Sequence, residues 1–349
     1  MPSAHQRRLR DPRVWFSLAV TGFFLWLVMR DVPFSEVARV IADANLILLF
    51  GLSVPSYVLV VYLRALRWKL LTAPLQAYST GVLFRATAVG FMANNIFPLR
   101  MGEVIRSWYL AREGGGSRAA VFGTVILERV IDMVMVIGIA FAVLALLGAG
   151  HEGRIAQGAL LLLPVAIAPT VVLVLLEAAP VPTIGFATKL AGVFSDRLAA
   201  FLEYTLTRFS EGLGALRSGR SLLLVACYTV LIWLVAATIP LLAAFAAVAV
   251  EFGSPLETIG AAWITQAAIG MAVALPSAPG FFGPYHFACK VALERFGIAP
   301  ETAVALGTLI HAVFWLSLTS LGLLVLRTRR TSFGEIEEVA LPSDDAVER

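Results

Sequence analysis
The sequence predicts an all-α, polytopic membrane protein, and three observations carry that class. Hydrophobic residues make up 59% of the 349 residues and charged residues only 14%, well below the roughly 25% charged of an ordinary soluble domain. Several apolar runs reach the roughly 20 residues a helix needs to cross a bilayer, and none alternates as a barrel strand does. Two further apolar segments break on prolines and glycines before they are long enough to cross. The expected architecture is therefore about six full spans plus two re-entrant helical hairpins of opposite orientation. The net charge of +4 sits in connecting segments, where it reads as an orientation signal. No basic patch interleaved with aromatics suggests a nucleic-acid partner. Cys227 and Cys289 lie far apart in apolar surroundings and read as small buried residues, not as a disulfide.

Residues 1–13 are basic (Arg7, Arg8, Arg10, Arg13) and precede the first apolar run, residues 14–29. That pairing resembles a secretory leader, but MRDVPF follows where a small-residue cleavage site would stand, so the run reads as a retained first span. A second span, residues 46–63, ends in Arg64, Arg67 and Lys69. Basic residues on these two flanks place both in the cytoplasm. Residues 84–98 then form a half-span leading into Arg106, Arg112 and Arg118, and positive charge on both sides makes this segment re-entrant from the cytoplasm.

A third span over residues 119–147 carries Glu128, Arg129 and Asp132 inside it, and residues 159–176 return as a fourth. The stretch 183–220 is amphipathic and reads as a cytoplasmic surface linker. A fifth span follows at residues 221–250. Residues 258–275 run into PSAPGFFGPYHF, where prolines and glycines forbid a continuing helix. A last span at residues 302–326 closes with Arg327, Arg329 and Arg330. The topology then closes only if residues 258–296 form a second re-entrant element entering from outside. One transmembrane domain, residues 14–330, thus reads as two halves, about 14–148 and 159–330, of opposite orientation: an inverted repeat. Pro98-Leu99-Arg100-Met101-Gly102 lines up with Pro279-Gly280-Phe281-Phe282-Gly283, and Val89-Gly90-Phe91 with Ile269-Gly270-Met271. The acidic tail, residues 331–349, reads as disordered. Both termini are expected in the cytoplasm, and the protein in the cell (inner or plasma) membrane.

Interrupted apolar segments at matching places in two halves point to a transporter's midplane site. Three constellations supply its groups. In NNIFPLRMGEVIR, Pro98 and Gly102 free backbone groups, Asn94 and Asn95 offer donors and acceptors, and Arg100 with Arg106 can clamp a phosphate; Glu103 lies among them. The plain alternative is a cytoplasmic loop with snorkelling arginines. In ERVID, Glu128 falls roughly 15 Å along its helix from Arg118, and Asp132 shares its face. These acids can bind a cation, relay protons, or hold Arg100 or Arg106; the alternative is an ion-pair cluster that only locks the hairpin. In PSAPGFFGPYHF, Pro276, Ser277, Pro279, Gly280 and Gly283 expose backbone beside Tyr285 and His286, with an ordinary extracellular turn as the alternative. His311 reads as a packing residue. No HExxH, nucleophile elbow, Walker loop or paired-cysteine motif occurs, so no enzyme activity, cofactor or metal is expected.

These three motifs, in this order, resemble the lysylphosphatidylglycerol synthase transmembrane-domain family, the flippase-like membrane half of multiple-peptide-resistance proteins, here as a stand-alone member. The resemblance implies a lipid-translocating bundle with re-entrant helices. It points position by position to Asn94, Asn95, Pro98, Arg100, Gly102, Glu103, Arg106, Glu128, Arg129, Asp132, Pro276, Pro279, Gly280 and Gly283. Two-domain relatives carry a soluble aminoacyl transferase after the membrane half. This chain runs about twenty residues past its last expected span, so no synthase activity carries over. His286 stands where the family usually has a glutamate. The expected function is a flippase-like transporter of a phospholipid or polyprenyl-phosphate-type lipid. The runner-up is a non-transporting partner or scaffold for a lipid- or glycan-modifying enzyme, and an intramembrane enzyme ranks last. Membrane lipids are the expected partners, and the oligomeric state is not readable from the sequence.

Overall fold
The computed structural model describes residues 12–97, 100–146, 171, 175–176, 178–213, 219–273, 279–329 and 331–340. Among the described residues the regular structure is helical throughout. The chain opens with α1 (Pro12–Met29), α2 (Phe34–Asp43) and α3 (Leu46–Thr72). The first hairpin is α4 (Thr80–Ile96) and α5 (Gly102–Gly114), followed by α6 (Arg118–Leu146). Two helices, α7 (Pro180–Gly192) and α8 (Asp196–Leu213), lead to α9 (Gly219–Ala247). The second hairpin is α10 (Pro255–Ala272) and α11 (Pro284–Glu294), joined through a 3₁₀ turn at Pro279–Phe281. The chain closes with α12 (Pro300–Arg329) and α13 (Phe333–Ala340).

Sequence sets several of these starts locally. Asn45, Ser79 and Ser254 each place a side-chain oxygen on an amide of the first turn of α3, α4 and α10, satisfying one of the donors a helix start leaves open. Among the described residues three helices, α3, α9 and α12, are long and apolar enough to cross a membrane, or four crossings if α1 and α2, bent by 85°, count as one broken span. That is fewer than the six expected. Helix α6 has the length, 29 residues, but carries the charged ERVID segment. The expected fourth span, residues 159–176, lies almost wholly outside the described residues.

Both interrupted segments are helical hairpins. At the base of the first, the Gln76 amide donates to the Gly114 carbonyl (2.6 Å), the Tyr78 hydroxyl to the Gly115 carbonyl (2.7 Å), and Arg85 pairs with Glu113 (3.0 Å). Toward the tip, the Gly102 amide donates to Asn94 Oδ1 (2.8 Å). In the second hairpin α10 packs along α11, and α11 also packs on α12 and α1. Helix α4 lies on α12, where Gly322 meets Met92 and the Ala88 carbonyl.

Three expectations are corrected. Arg64 and Arg67 do not follow the second helix as an exposed flank: α3 runs on to Thr72 and buries both. The tail is not wholly disordered, because residues 333–340 form α13. There Phe333, Ile336 and Ala340 recur at helical spacing, Ile336 is buried, Phe333 stacks on Phe97, and Glu335 pairs with Arg112. Cys227 is exposed on α9, whereas Cys289 is buried. The expected linker 183–220 does form helices, and α8 packs on both α7 and α6.

The close approach of α4 and α5 requires glycine. A Cβ on Gly102 would sit 2.1 Å from the Gly90 carbonyl oxygen and 2.5 Å from Asn94. Gly102→Ala is expected to force the hairpin apart at a cost of about 1–3 kcal/mol. Gly51→Ala on α3, where a Cβ meets nothing within 4 Å, serves as the matched control. Thermal unfolding of the two purified variants in detergent reads the difference: only Gly102→Ala should lose stability.

Candidate functional site
The site begins with residues that share helix faces. On α3, Arg64, Arg67 and Trp68 lie three and four residues apart, on one face. On α6, Glu128 and Asp132 do the same, with Arg129 beside them. Arg106 reaches in from α5, and Thr229 and Trp233 from α9 complete a ring of four helices.

Glu128 is fully buried and is the hub. Arg106 grips it with both ends of its fork, Nη1 to Oε1 at 3.1 Å and Nη2 to Oε2 at 3.0 Å. Arg64 (3.1 Å), Arg67 (3.2 Å) and Arg129 (3.0 Å) crowd the same Oε1. Asp132 takes Arg67 at 2.8 Å on Oδ1, and Arg64 at 2.7 Å and Arg129 at 3.4 Å on Oδ2. Thr229 Oγ1 accepts from Arg67 at 2.9 Å, and Trp233 Nε1 donates to Asp132 Oδ1 at 3.4 Å. The Trp68 ring lies under the Arg106 guanidinium, 3.6 Å from its centroid, and Trp68 Nε1 donates to Thr124 Oγ1 at 2.8 Å. Charges removed from water persist only when paired and hydrogen-bonded, and each acid here is met from several sides.

Beside this cluster opens a cavity of about 470 Å³ between the two hairpin tips. Its charged and amide lining is Arg64, Asn94, Asn95, Arg100, Glu103, Arg129, Asp132 and Gln266, with Tyr57 and Tyr285 beside them. The rest is largely apolar, including Phe91, Met133, Trp233, Phe281 and Phe314. The tips meet across it: the Arg100 guanidinium stands 5.9 Å from the Phe281 ring centroid. Both residues hold positive φ, 57° for Arg100 and 63° for Phe281, a left-handed conformation that non-glycine residues adopt rarely. They occupy the same position when the two tip sequences are aligned. Arg100 also faces Glu103 at 3.8 Å, and Asn94 Nδ2 reaches Glu103 at 3.5 Å.

The second tip is held from behind. His311 Nε2 lies 2.6 Å from the Gly280 carbonyl, and since a carbonyl only accepts, that nitrogen carries the proton. Gly280 (φ 75°) and Gly283 (φ 89°) make the turn, and a Cβ on Gly283 would strike the Thr21 carbonyl at 2.8 Å. Asn95 donates to Thr319 Oγ1 at 3.0 Å, and Trp315 Nε1 donates to the Asn95 carbonyl at 3.3 Å, anchoring the first tip to α12.

Of the residues singled out from sequence, Asn94, Asn95, Arg100, Glu103, Arg129, Asp132 and Tyr285 line the cavity. Arg106 and Glu128 sit behind it, locked to each other, so the expected phosphate clamp of Arg100 with Arg106 is not assembled. His286 lies behind the second tip, its ring 5.0 Å from that of His311. Gly102, Pro279, Gly280 and Gly283 shape the backbone, while Pro98, Pro276 and Ser277 lie outside the described residues. Arg64, Arg67, Trp68, Thr229 and Trp233 were missed as site residues. A signal existed: two arginines three apart in a largely apolar helix match two acids four apart. Among the described residues, no three His, Cys, Asp or Glu converge as metal ligands would.

A family model described as the lysylphosphatidylglycerol synthase TM region matches residues 14–322. The chain belongs to this family. No curated protein and no solved structure matches it. Membership in the lysylphosphatidylglycerol synthase TM family, with the crossing helices above, makes the chain a multi-pass membrane protein with a lipid-related role.

Glu128→Gln removes one of the two acids that, among the described residues, pair with these four guanidiniums. The expected loss is about 3–5 kcal/mol, seen as lower membrane yield and a lower melting temperature. Adding Arg106→Gln should recover part of that loss, because it removes the charge that Glu128 neutralises most directly. Thr229→Val should cost only about 1 kcal/mol.

Proposed function
We propose that the protein is a flippase-like lipid transporter that passes a phospholipid or polyprenyl-phosphate-type headgroup through the cavity between its two hairpin tips. The observation that carries this reading is the cavity itself: cationic groups at its floor, apolar walls, and two strained tips in contact. The hairpins are re-entrant elements of an inverted repeat, one entering from each side of the membrane. The shared positive φ of Arg100 and Phe281 at aligned positions supports that symmetry. Strained backbone of this kind is concentrated at sites that switch or clamp.

In this reading Arg129 and Arg100 meet the phosphate, while Asn94 and Asn95 hold the tip open for it. Glu128 and Asp132 are positioning residues that keep the arginines in place. Acyl chains remain in lipid beside the apolar wall. The headgroup exchanges water for fixed guanidinium donors, offsetting the several kcal/mol that a bare charge costs at bilayer depth. The role is transport and not catalysis, and the site is the cell membrane, with both termini in the cytoplasm.

The scaffold reading draws support from one observation: both acids of the cluster are saturated by arginines within the fold. Transport and scaffold separate in reconstituted vesicles. Wild-type protein should accelerate movement of a fluorescent anionic phospholipid between leaflets, and Arg129→Gln should slow it at least tenfold while melting within a few degrees of wild type. Vesicles in which wild type moves no anionic lipid faster than empty controls would favour the scaffold.

A further inference from the structure
Among the described residues the cluster holds a charge imbalance. Arg64, Arg67, Arg106 and Arg129 share two carboxylates, Glu128 and Asp132, and the neighbouring Arg100–Glu103 pair is balanced. Guanidinium keeps its proton in proteins. Four cations against two anions leave two positive charges in excess, at a site where water is largely excluded. An uncompensated buried charge is costly, and a counter-charge from outside the chain relieves that cost.

Hydrogen-bond capacity points the same way. All four oxygens of Glu128 and Asp132 already face guanidinium nitrogens. The donors, by contrast, are in surplus: Nε of Arg64, Arg67, Arg100, Arg106 and Arg129 is buried without a partner. Arg64 ties the surplus to the cavity, since its side chain is only 9% exposed and lines that space. Arg129, at 27%, is the more open of the two. One carboxylate oxygen beside the cavity lacks a hydrogen-bond partner, Oε2 of Glu103, and its charge is shared with Arg100.

We propose, building on the lipid-headgroup reading of this cavity, that its preferred occupant is a phosphate group carrying two negative charges, as in a phosphomonoester or diphosphate lipid. A dianion cancels the excess and supplies acceptors for the unpartnered donors of the three arginines that line the cavity, Arg64, Arg100 and Arg129. A phosphodiester leaves one charge standing. The lysyl ester in the family's name adds ammonium groups, which would meet three guanidiniums, Arg64, Arg100 and Arg129, and only the carboxylates of Glu103 and Asp132, both already facing arginines. This chain therefore disfavours that cationic headgroup.

The test is competitive binding to the purified full-length protein in micelles, read by native mass spectrometry. The mixture holds equal amounts of phosphatidic acid, a polyprenyl diphosphate, phosphatidylglycerol, phosphatidylcholine and lysyl-phosphatidylglycerol. At pH 7.5 the first two should be retained about tenfold over phosphatidylglycerol, with the lysyl lipid lowest. Near pH 5 a phosphomonoester takes up its second proton, since that step lies around 6. Phosphatidic acid should then fall toward phosphatidylglycerol while the diphosphate keeps its lead. Arg129→Gln should compress the preference to about threefold and Arg129→Lys should largely keep it. Equal retention of the lysyl lipid and phosphatidic acid by wild type overturns the proposal, whatever the variants do. So does an unchanged preference in a folded Arg129→Gln protein. Dianion preference without lipid movement in vesicles would sink the transport reading alone, and movement without that preference would sink this one alone.

Discussion
The bidentate clamp of Arg106 on Glu128 is the interaction on which the rest of this core depends. It ties the first hairpin to α6, and the arginines of α3 then bind to the same acid and to its neighbour one turn on. Helices α3, α5 and α6 are thereby held in one register, and Thr229 and Trp233 add α9 to it. Without a hydrophobic driving force between helices in lipid, such polar contacts and close packing of small residues decide how helices associate. The Gly90–Gly102 approach supplies the packing, and the clamp sets its direction.

The same cluster explains why a cavity persists beside it. Helices α3 and α6 are spaced by side chains that cannot collapse further, because each guanidinium already spans two partners. The hairpin tips close over the space from either end and touch through Arg100 and Phe281. Each tip is braced from behind by α12, the first through Asn95, Thr319 and Trp315, the second through His311 and Gly280. One helix thus supports both tips, so a displacement of α12 would reach both sides of the cavity together.

Much of this was legible in the residues. The hairpins showed themselves because proline and glycine interrupt apolar runs, and the acids because Glu128 and Asp132 share a helix face in a segment that should contain no charge. The arginines of α3 left a signal in their spacing, but it was read the other way. A positive charge at the end of an apolar run has two meanings, orientation and burial, and the partner that decides lies 64 residues away in Glu128. Arg106 was read as a phosphate ligand for the same reason: its carboxylate arrives from another helix. Helix α13 hid in an acidic tail because its apolar face is short, carried by Phe333, Ile336, Val339 and Ala340 among Glu335, Glu337 and Glu338. Of the six expected spans, three or four are found among the described residues; α6 carries ERVID in its middle, and the expected fourth span lies almost wholly outside those residues.

The central claim is that lipid phosphate is held by arginines between the two tips. It is met most directly by a cryo-electron microscopy structure of the protein in lipid nanodiscs doped with phosphatidic acid. The account predicts phosphate density within hydrogen-bond distance of Arg129 and Arg64, beneath Arg100, with acyl chains leaving along the Phe91 and Met133 wall. Headgroup density elsewhere, or tips parted with the arginines closed onto Glu128 and Asp132 and no lipid between them, would contradict it.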